Sequence, residues 1–292
     1  MKKAYIKYIA SLLLFGTNGI VASMIHLSSY EIVLLRTLLG SLFLFSLFLI
    51  TRGKPTFYKH KKQCIFLAIS GMAMGASWIF LYEAYAEIGV SLASLAYYCG
   101  PIIVMILSPF LFGERLTVLK VVAFLTVLLG VFLVNGTAFE DGKSAWGIIA
   151  GLLSAVTYSF MVMFNKKAKD IKGIENASLQ LLIAFVTVAV FVAVTRGFNF
   201  NIDTASILPA LVLGLFNTGF GCYLYFSSIG KLPVQSVAIC GCIELLSAVV
   251  FSMIFLNEVM LLPQVVGGIL IIAGTVVSEL RRTEKKPPTN DK

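Results

Sequence analysis

The chain alternates long apolar runs with short polar connections. Ten runs emerge: Ile6–Ile25, Ser29–Ile50, Gln63–Tyr85, Val90–Phe112, Leu116–Val134, Ala145–Asn165, Ala177–Val194, Ala205–Ser228, Leu232–Phe255 and Leu262–Leu280. About 20 apolar helical residues, rising about 1.5 Å each, cover a hydrocarbon core of about 30 Å. The pattern predicts an all-α polytopic membrane protein with ten transmembrane helices. The first run has a basic start and small residues near Ala22 and Ser23, as a cleaved signal would. Its apolar stretch is longer than the roughly 7–15 residues of a signal core, and further runs follow, so it reads as a retained helix.

Charge placement orients these helices. With the N-terminus in the cytoplasm, the inner connections hold Lys2, Lys3, Lys7, Arg52, Lys54, Lys59, Lys61, Lys62, Arg115, Lys120, Lys166, Lys167, Lys169, Lys172 and Lys231. The C-terminal segment adds Arg281, Arg282, Lys285, Lys286 and Lys292, whereas the outer connections hold only Lys143 and Arg196. Such a bias predicts a multi-pass protein of the cytoplasmic (inner) membrane with both termini cytoplasmic. It also accounts for the net charge of +9 without a nucleic-acid partner, leaving the lipid bilayer as the surrounding medium. Residues 283–292, polar and containing Pro287 and Pro288, read as a disordered cytoplasmic tail.

Composition agrees with the pattern. Hydrophobic residues make up 59% and charged residues 13%, about half the ~25% charge of soluble domains. Five cysteines, all in or beside apolar runs, form no disulfide framework and read as small apolar residues. The two histidines, His26 and His60, lie in loops. No metal-ligand cluster, cofactor-binding glycine loop or nucleophile elbow is visible, so the expectation is no metal, no cofactor and no enzyme.

A shift of 144 residues maps Glu114 on Glu258, Gly130 on Gly274, and Gly100-Pro101 on Glu244-Leu245. The halves are residues 1–137 and 143–282, with five helices each. An odd number of spans inserts the second copy upside down, so the fold class is two inverted five-helix repeats. Inverted repeats bind solute near the midplane where they meet. Glu244 lies there, 12 residues past Leu232 and so about 18 Å along its helix. A charge at that depth costs about 2.5–3.5 kcal/mol and requires a compensating partner, water, proton or solute.

These residues carry a resemblance. The helix with Pro101 that ends in Gly113-Glu114-Arg115-Leu116, its second copy with Glu244 and Asn257-Glu258, and Arg36 in the second helix together resemble the EamA family of the drug/metabolite transporter superfamily. The family's Glu-Pro pair is split here between Pro101 and Glu244. The resemblance implies a ten-helix basket, with the first, third, fourth, sixth, eighth and ninth helices around a central cavity. It also implies transport of amino acids and related metabolites, mostly by efflux, with some members importing other solutes.

The candidate substrate-binding residues are Glu244, Trp78, Tyr98, Asn217, Asn18, Tyr158, Cys240 and Arg36. Ser236, Cys240, Glu244 and Ser247 share one stripe of the ninth helix, as a wetted wall or a close-packed face would. Glu244 suits proton exchange or a cationic group of the solute; a structural ion pair is the alternative. Arg36, the lone intramembrane cation, suits a solute carboxylate or simple snorkelling. Trp78 suits stacking on the solute or the aromatic belt. Asn18, Asn217 and Tyr158 add polar groups that would line a small mixed cavity. Glu114 and Glu258 read as turn or capping residues at the membrane faces, with a gating role through pairing with nearby Arg115 as the alternative for Glu114.

The expected function is secondary transport of a small metabolite, an amino acid or relative, by alternating access. Efflux and proton coupling lead, in a monomer or homodimer. Uptake of a cationic or aromatic nutrient stays open. So does a membrane scaffold or enzyme that moves nothing.

Overall fold

The computed structural model describes residues 1–51, 55–135, 144–195, 197, 202–256 and 261–280. Among them every regular element is helical. In order these are α1 (Lys2–Gly16), α2 (Asn18–Ser23), α3 (Ser29–Ile50), a 3-10 turn (Phe57–Lys59), α4 (Lys61–Ile88), α5 (Val90–Tyr97), α6 (Cys99–Phe112) and α7 (Val118–Asn135). Then follow α8 (Ala145–Lys167), α9 (Gly173–Thr195), α10 (Thr204–Leu211), a π-helical stretch (Val212–Phe220), α11 (Gly221–Ile229), α12 (Val234–Gly241), α13 (Ile243–Leu256) and α14 (Leu262–Leu280).

Six continuous stretches are long and apolar enough to cross a membrane: Lys2–Ser23, Ser29–Ile50, Lys61–Ile88, Ala145–Lys167, Gly173–Thr195 and Thr204–Ile229. Four shorter apolar helices accompany them, at Cys99–Phe112, Val118–Val134, Val234–Ala248 and Leu262–Ser278. Besides the break at Thr17 between α1 and α2, two of the apolar runs expected as single helices are interrupted near their middle. One breaks at Tyr98, between α5 and α6, and the other at Cys242, between α12 and α13. At the first break Pro101 lies in the opening turn of α6, where its missing N–H costs nothing and its ring cannot continue α5. Asn257, Glu258 and the tail 283–292, with the roles expected of them, lie outside the described residues.

Local signals start and stop the helices. Ser28 and Glu31 form a capping box at α3. Ser144 caps α8 and Asp203 caps α10. Gly89 and Gly113 take φ of 80° and 65° after α4 and α6, a region open to glycine.

Helices meet through small polar side chains and glycines, as expected where lipid is as apolar as leucine. Ser77 and Ser154 each donate to the other's backbone carbonyl, joining α4 to α8. Ser178 donates to Leu44 O between α9 and α3. A buried amide chain ties α8, α9 and α4: Asn165 donates to Asn176 and Gln180, and Gln180 donates to Ser70. The outer faces are apolar, with Phe110, Val118 and Val194 each more than 80% exposed. They form the lipid-facing surface of a bundle whose backbone is satisfied within its helices.

Both ends of the described chain meet at one end of the bundle. Tyr8 near the start of α1 donates to Val237 O, and Glu114 accepts from Val234 N beside it. Glu114 precedes the start of α7, and α7 runs antiparallel to α14, with Ala123 facing Gly274. At the opposite end His26 Nδ1 lies 3.0 Å from Asp203 Oδ2.

Hydrogen bonds from Ser206 first, and from His26 second, hold the Asp203 carboxyl below its ordinary value. A lowered value means that this cap contributes above about pH 3.9 and fades as pH falls through the folded value. Amide exchange at Ser206, compared between the wild type and Asp203→Ala, should differ at neutral pH and converge in acid. A second outcome concerns α7 against α14. A methyl group on Gly130 would lie 2.6 Å from the Gly267 carbonyl oxygen, a backbone atom unable to step aside cheaply. Gly130→Ala should lower stability by about 1–3 kcal/mol, read as a drop in melting temperature in detergent.

Candidate functional site

A cavity lies among α1, α2, α3, α4, α8, α11 and α13, with Tyr97 at the α5–α6 break. Phe15, Asn18, Arg36, Met74, Ser77, Trp78, Tyr97, Tyr158, Met161, Cys222, Tyr225, Phe226 and Glu244 line it. Its volume of about 50 Å³ holds one or two waters, far below the roughly 300 Å³ of a small-molecule pocket. At this volume the site admits water, and a small-molecule solute would fit only if the wall moved.

Arg36 is 3% exposed. Its Nε donates to Thr218 Oγ1 at 3.0 Å and its Nη1 to Tyr82 OH at 2.8 Å. The guanidinium lies 4.5 Å from the Trp78 ring centre, a cation–π contact. These contacts hold the cation without a carboxylate and leave Nη2 unused. Glu83, a candidate partner by position, instead accepts from Tyr30 OH and from Trp146 Nε1. Snorkelling is thus replaced by a built socket, with Tyr82 and Trp78 facing inward.

Glu244 stands in the first turn of α13. Free backbone N–H groups and the positive end of the helix dipole favour a carboxylate there. Among the described residues its carboxylate accepts no hydrogen bond and joins no ion pair; the ion pairs seen are His26–Asp203 and His60–Asp170 at the surface. Glu244 and Arg36 therefore line one cavity without neutralising each other directly. Tyr97 and Tyr158 (ring centres 5.1 Å apart) and Tyr225, whose hydroxyl is 3.5 Å from that of Tyr158, supply an aromatic wall.

Of the sequence candidates, Glu244, Trp78, Asn18, Tyr158 and Arg36 share this cavity. Tyr98 does not line it; its ring packs with Met105, Phe124, Ile239, Cys242 and Leu245. The break at Tyr98 turns its neighbour Tyr97 to the cavity instead. Cys240 is 2% exposed and belongs to the packed core around Tyr8 and Val237. Asn217 spends its amide group on Leu14 O, Thr17 Oγ1 and Asn18 Oδ1, at 3.3, 2.8 and 3.0 Å. It holds the break between α1 and α2 open and presents Asn18 to the cavity.

The π-helical stretch explains how one segment serves two neighbours. Asn217 reaches α1 and α2, while Thr218 accepts from Arg36 and donates to Leu213 O, five residues back. A widened turn re-aims side chains in this way and is common at functional sites. No sequence signal marked the stretch. Cys222, Phe15 and Met161 were also missed, because an apolar residue facing a cavity looks like one facing core. No group of three or more potential metal ligands occurs among the described residues.

The sequence profile of the EamA-like transporter family matches residues 2–136 and again 145–280. The transporter YxxF of Bacillus subtilis is 26% identical over 97% of this chain and 91% of its own length. A transporter of Archaeoglobus fulgidus is 24% identical, covering 92% of this chain and 94% of its own. The inner membrane transporter YicL of Salmonella typhimurium is 22% identical, covering 96% of each. A solved crystal structure superposes with a TM-score of 0.80 at 17% identity, covering 95% of this chain and 98% of its own; that likeness shows the shared fold.

Replacing Asn217 by Ala removes three interhelical contacts shared by two N–H donors, each donor's bond typically worth about 0.6 kcal/mol in a bilayer. Melting in detergent should show a loss of about 1 kcal/mol, with faster amide exchange around Thr17 and Asn18.

Proposed function

The chain belongs to the EamA-like transporter family and is a multi-pass membrane transporter, and we propose that it exports a small amino-acid-related metabolite across the cytoplasmic membrane. The observation that carries this reading is the pairing of an unbonded carboxylate, Glu244, with a half-used guanidinium, Arg36, in one closed cavity. A solute with an amino group and a carboxylate complements both. Its apolar part meets Trp78, Tyr97 and Tyr158. Efflux is the direction the family resemblance implies, and Glu244 is the group that exchanges a proton.

The moving parts in this reading are two inverted five-helix repeats, residues 1–137 and 143–282, that rock about the cavity. Several observations support it. The family profile matches twice. The breaks at Tyr98 and Cys242 are one 144-residue shift apart. Gly130 lies against Gly267, and Gly274, the shifted Gly130, lies against Ala123, the unshifted Gly267. Arg36 bonds Thr218, while Gln180, the shifted Arg36, contacts Met74, the unshifted Thr218. Contacts related by exchange of the halves support a two-fold axis between them. Meeting of the termini at the end that bears the basic loops supports their cytoplasmic placement.

A second reading, uptake of a cationic solute, draws on one observation. Arg36 is engaged by Thr218, Tyr82 and Trp78, whereas the Glu244 carboxylate has no bonded partner among the described residues and shares the cavity with aromatic rings. Thermal-shift screening separates the two, since a bound solute raises stability: amino acids act under the first reading and simple amines under the second. A non-transporting scaffold responds to neither.

Transport in proteoliposomes tests the mechanism. Glu244→Gln should slow proton-coupled exchange about tenfold or more, the worth of one charge-assisted hydrogen bond, and flatten its pH dependence. Wild-type rates across pH in this variant refute the role of Glu244. Arg36→Gln should raise the KM for solutes with a carboxylate more than for the matching amines.

A further inference from the structure

The cavity is too small to admit a metabolite as it stands, so passage needs one end to open, and at the end bearing the termini the obstruction is identifiable. Tyr158, Met161, Tyr225 and Phe226 of the cavity wall belong to one packed cluster with Tyr8, Ile229, Leu232, Val234 and Val237. Tyr8, Ile229, Val234 and Val237 have no exposed surface. The turn between α11 and α12 crosses this cluster.

Apolar packing is non-directional and does not select one position of that turn. Polar ties do. Lys166 Nζ on α8 donates to Ile229 O at 3.0 Å and to Leu232 O. Tyr8 OH donates to Val237 O at 2.8 Å. The start of α12 is the unusual point. Its N-cap residue is Pro233, whose side chain accepts no hydrogen bond from the first N–H groups of the helix. The missing cap comes from far along the chain. Glu114, in the connection between α6 and α7, accepts from Val234 N at 2.8 Å and Gln235 N at 3.1 Å. Gln235 in turn donates to Ser108 Oγ on α6 at 3.0 Å and accepts from Lys120 Nζ on α7 at 2.5 Å. Glu114 thus closes a helix of the other half, beyond the expectation that it caps its own turn.

We propose that Glu114 is the latch of a gate: its bonds to the start of α12 hold the cavity shut toward the end bearing the termini, and their release opens it. The inference rests on the alternating-access reading above. Charge-assisted hydrogen bonds to two N–H groups are strong enough to hold a closed state. At the membrane face, water replaces each partner when they separate, so opening strands no unpaired group in hydrocarbon. A latch of this kind is firm and reversible. The buried Asn165–Asn176–Gln180 chain lies among packed helices and has no such exchange open to it.

The test uses Cys222, which lines the cavity. With Cys64, Cys99, Cys240 and Cys242 replaced by Ala, it is the sole thiol. A charged methanethiosulfonate reagent is added to vesicles from the side bearing the termini. Glu114→Gln should speed Cys222 labelling about tenfold, as expected from losing one charge-assisted bond, and Gln235→Leu should act in the same direction. Glu87→Gln, a carboxylate at the opposite end, should leave the rate unchanged. Parental rates in folded Glu114→Gln and Gln235→Leu overturn the proposal, and so does equal acceleration by Glu87→Gln. Where Glu114→Gln does not fold, Gln235→Leu decides. Labelling needs no solute. A protein that gates but moves nothing refutes the proposed function and leaves the latch, whereas transport with unaltered gating refutes the latch alone.

Discussion

Inside a bilayer no water is available to satisfy a backbone N–H or C=O, so a helix that breaks there must find partners for what it frees. The breaks in this protein are few and they surround the cavity: Thr17 between α1 and α2, Tyr98 between α5 and α6, Cys242 between α12 and α13, and the widened turn at Val212–Phe220. Side-chain donors gather beside them. Thr17 and Asn217 bond Leu14 O, Ser159 bonds Gly100 O, and Ser247 bonds both Glu244 O and Leu12 O. The site is polar because the helices are interrupted there.

The two intramembrane charges are handled by different physics. Arg36 is fully housed: an aromatic face beneath it, two oxygens on its edge, and one nitrogen left over. Glu244 has the field of a helix start but no fixed donor. A housed cation and an unhoused anion in one closed space form an incomplete set, and incompleteness of that kind is what a ligand or proton resolves.

Polar ties elsewhere sort by what lies around them. The Asn165, Asn176, Gln180 and Ser70 chain is dry and mutually satisfied, so it binds α4, α8 and α9 into one unit. Glu114 and Lys166 grip the α11–α12 turn where solvent is close. The first kind suits parts that move together and the second suits parts that separate. This division into rigid blocks and releasable contacts is what rocking requires.

Hydrophobic run length by itself determined the helical class and the count of apolar segments, and residues that match under one shift marked the 144-residue repeat, because these depend only on order along the chain. They also singled out Arg36, since a charge amid apolar residues is visible without coordinates. Tertiary structure decided which face of each helix looks inward. Tyr97 faces the cavity while its neighbour Tyr98 packs against α7 and α12, a choice of face that adjacent tyrosines in a sequence leave open. Asn217 serves a neighbouring helix because a widened turn redirects it. Glu114 caps α12, 120 positions away from Val234 in sequence. Contacts of that range depend on how helices pack and where they kink, and periodicity along one chain carries no record of either.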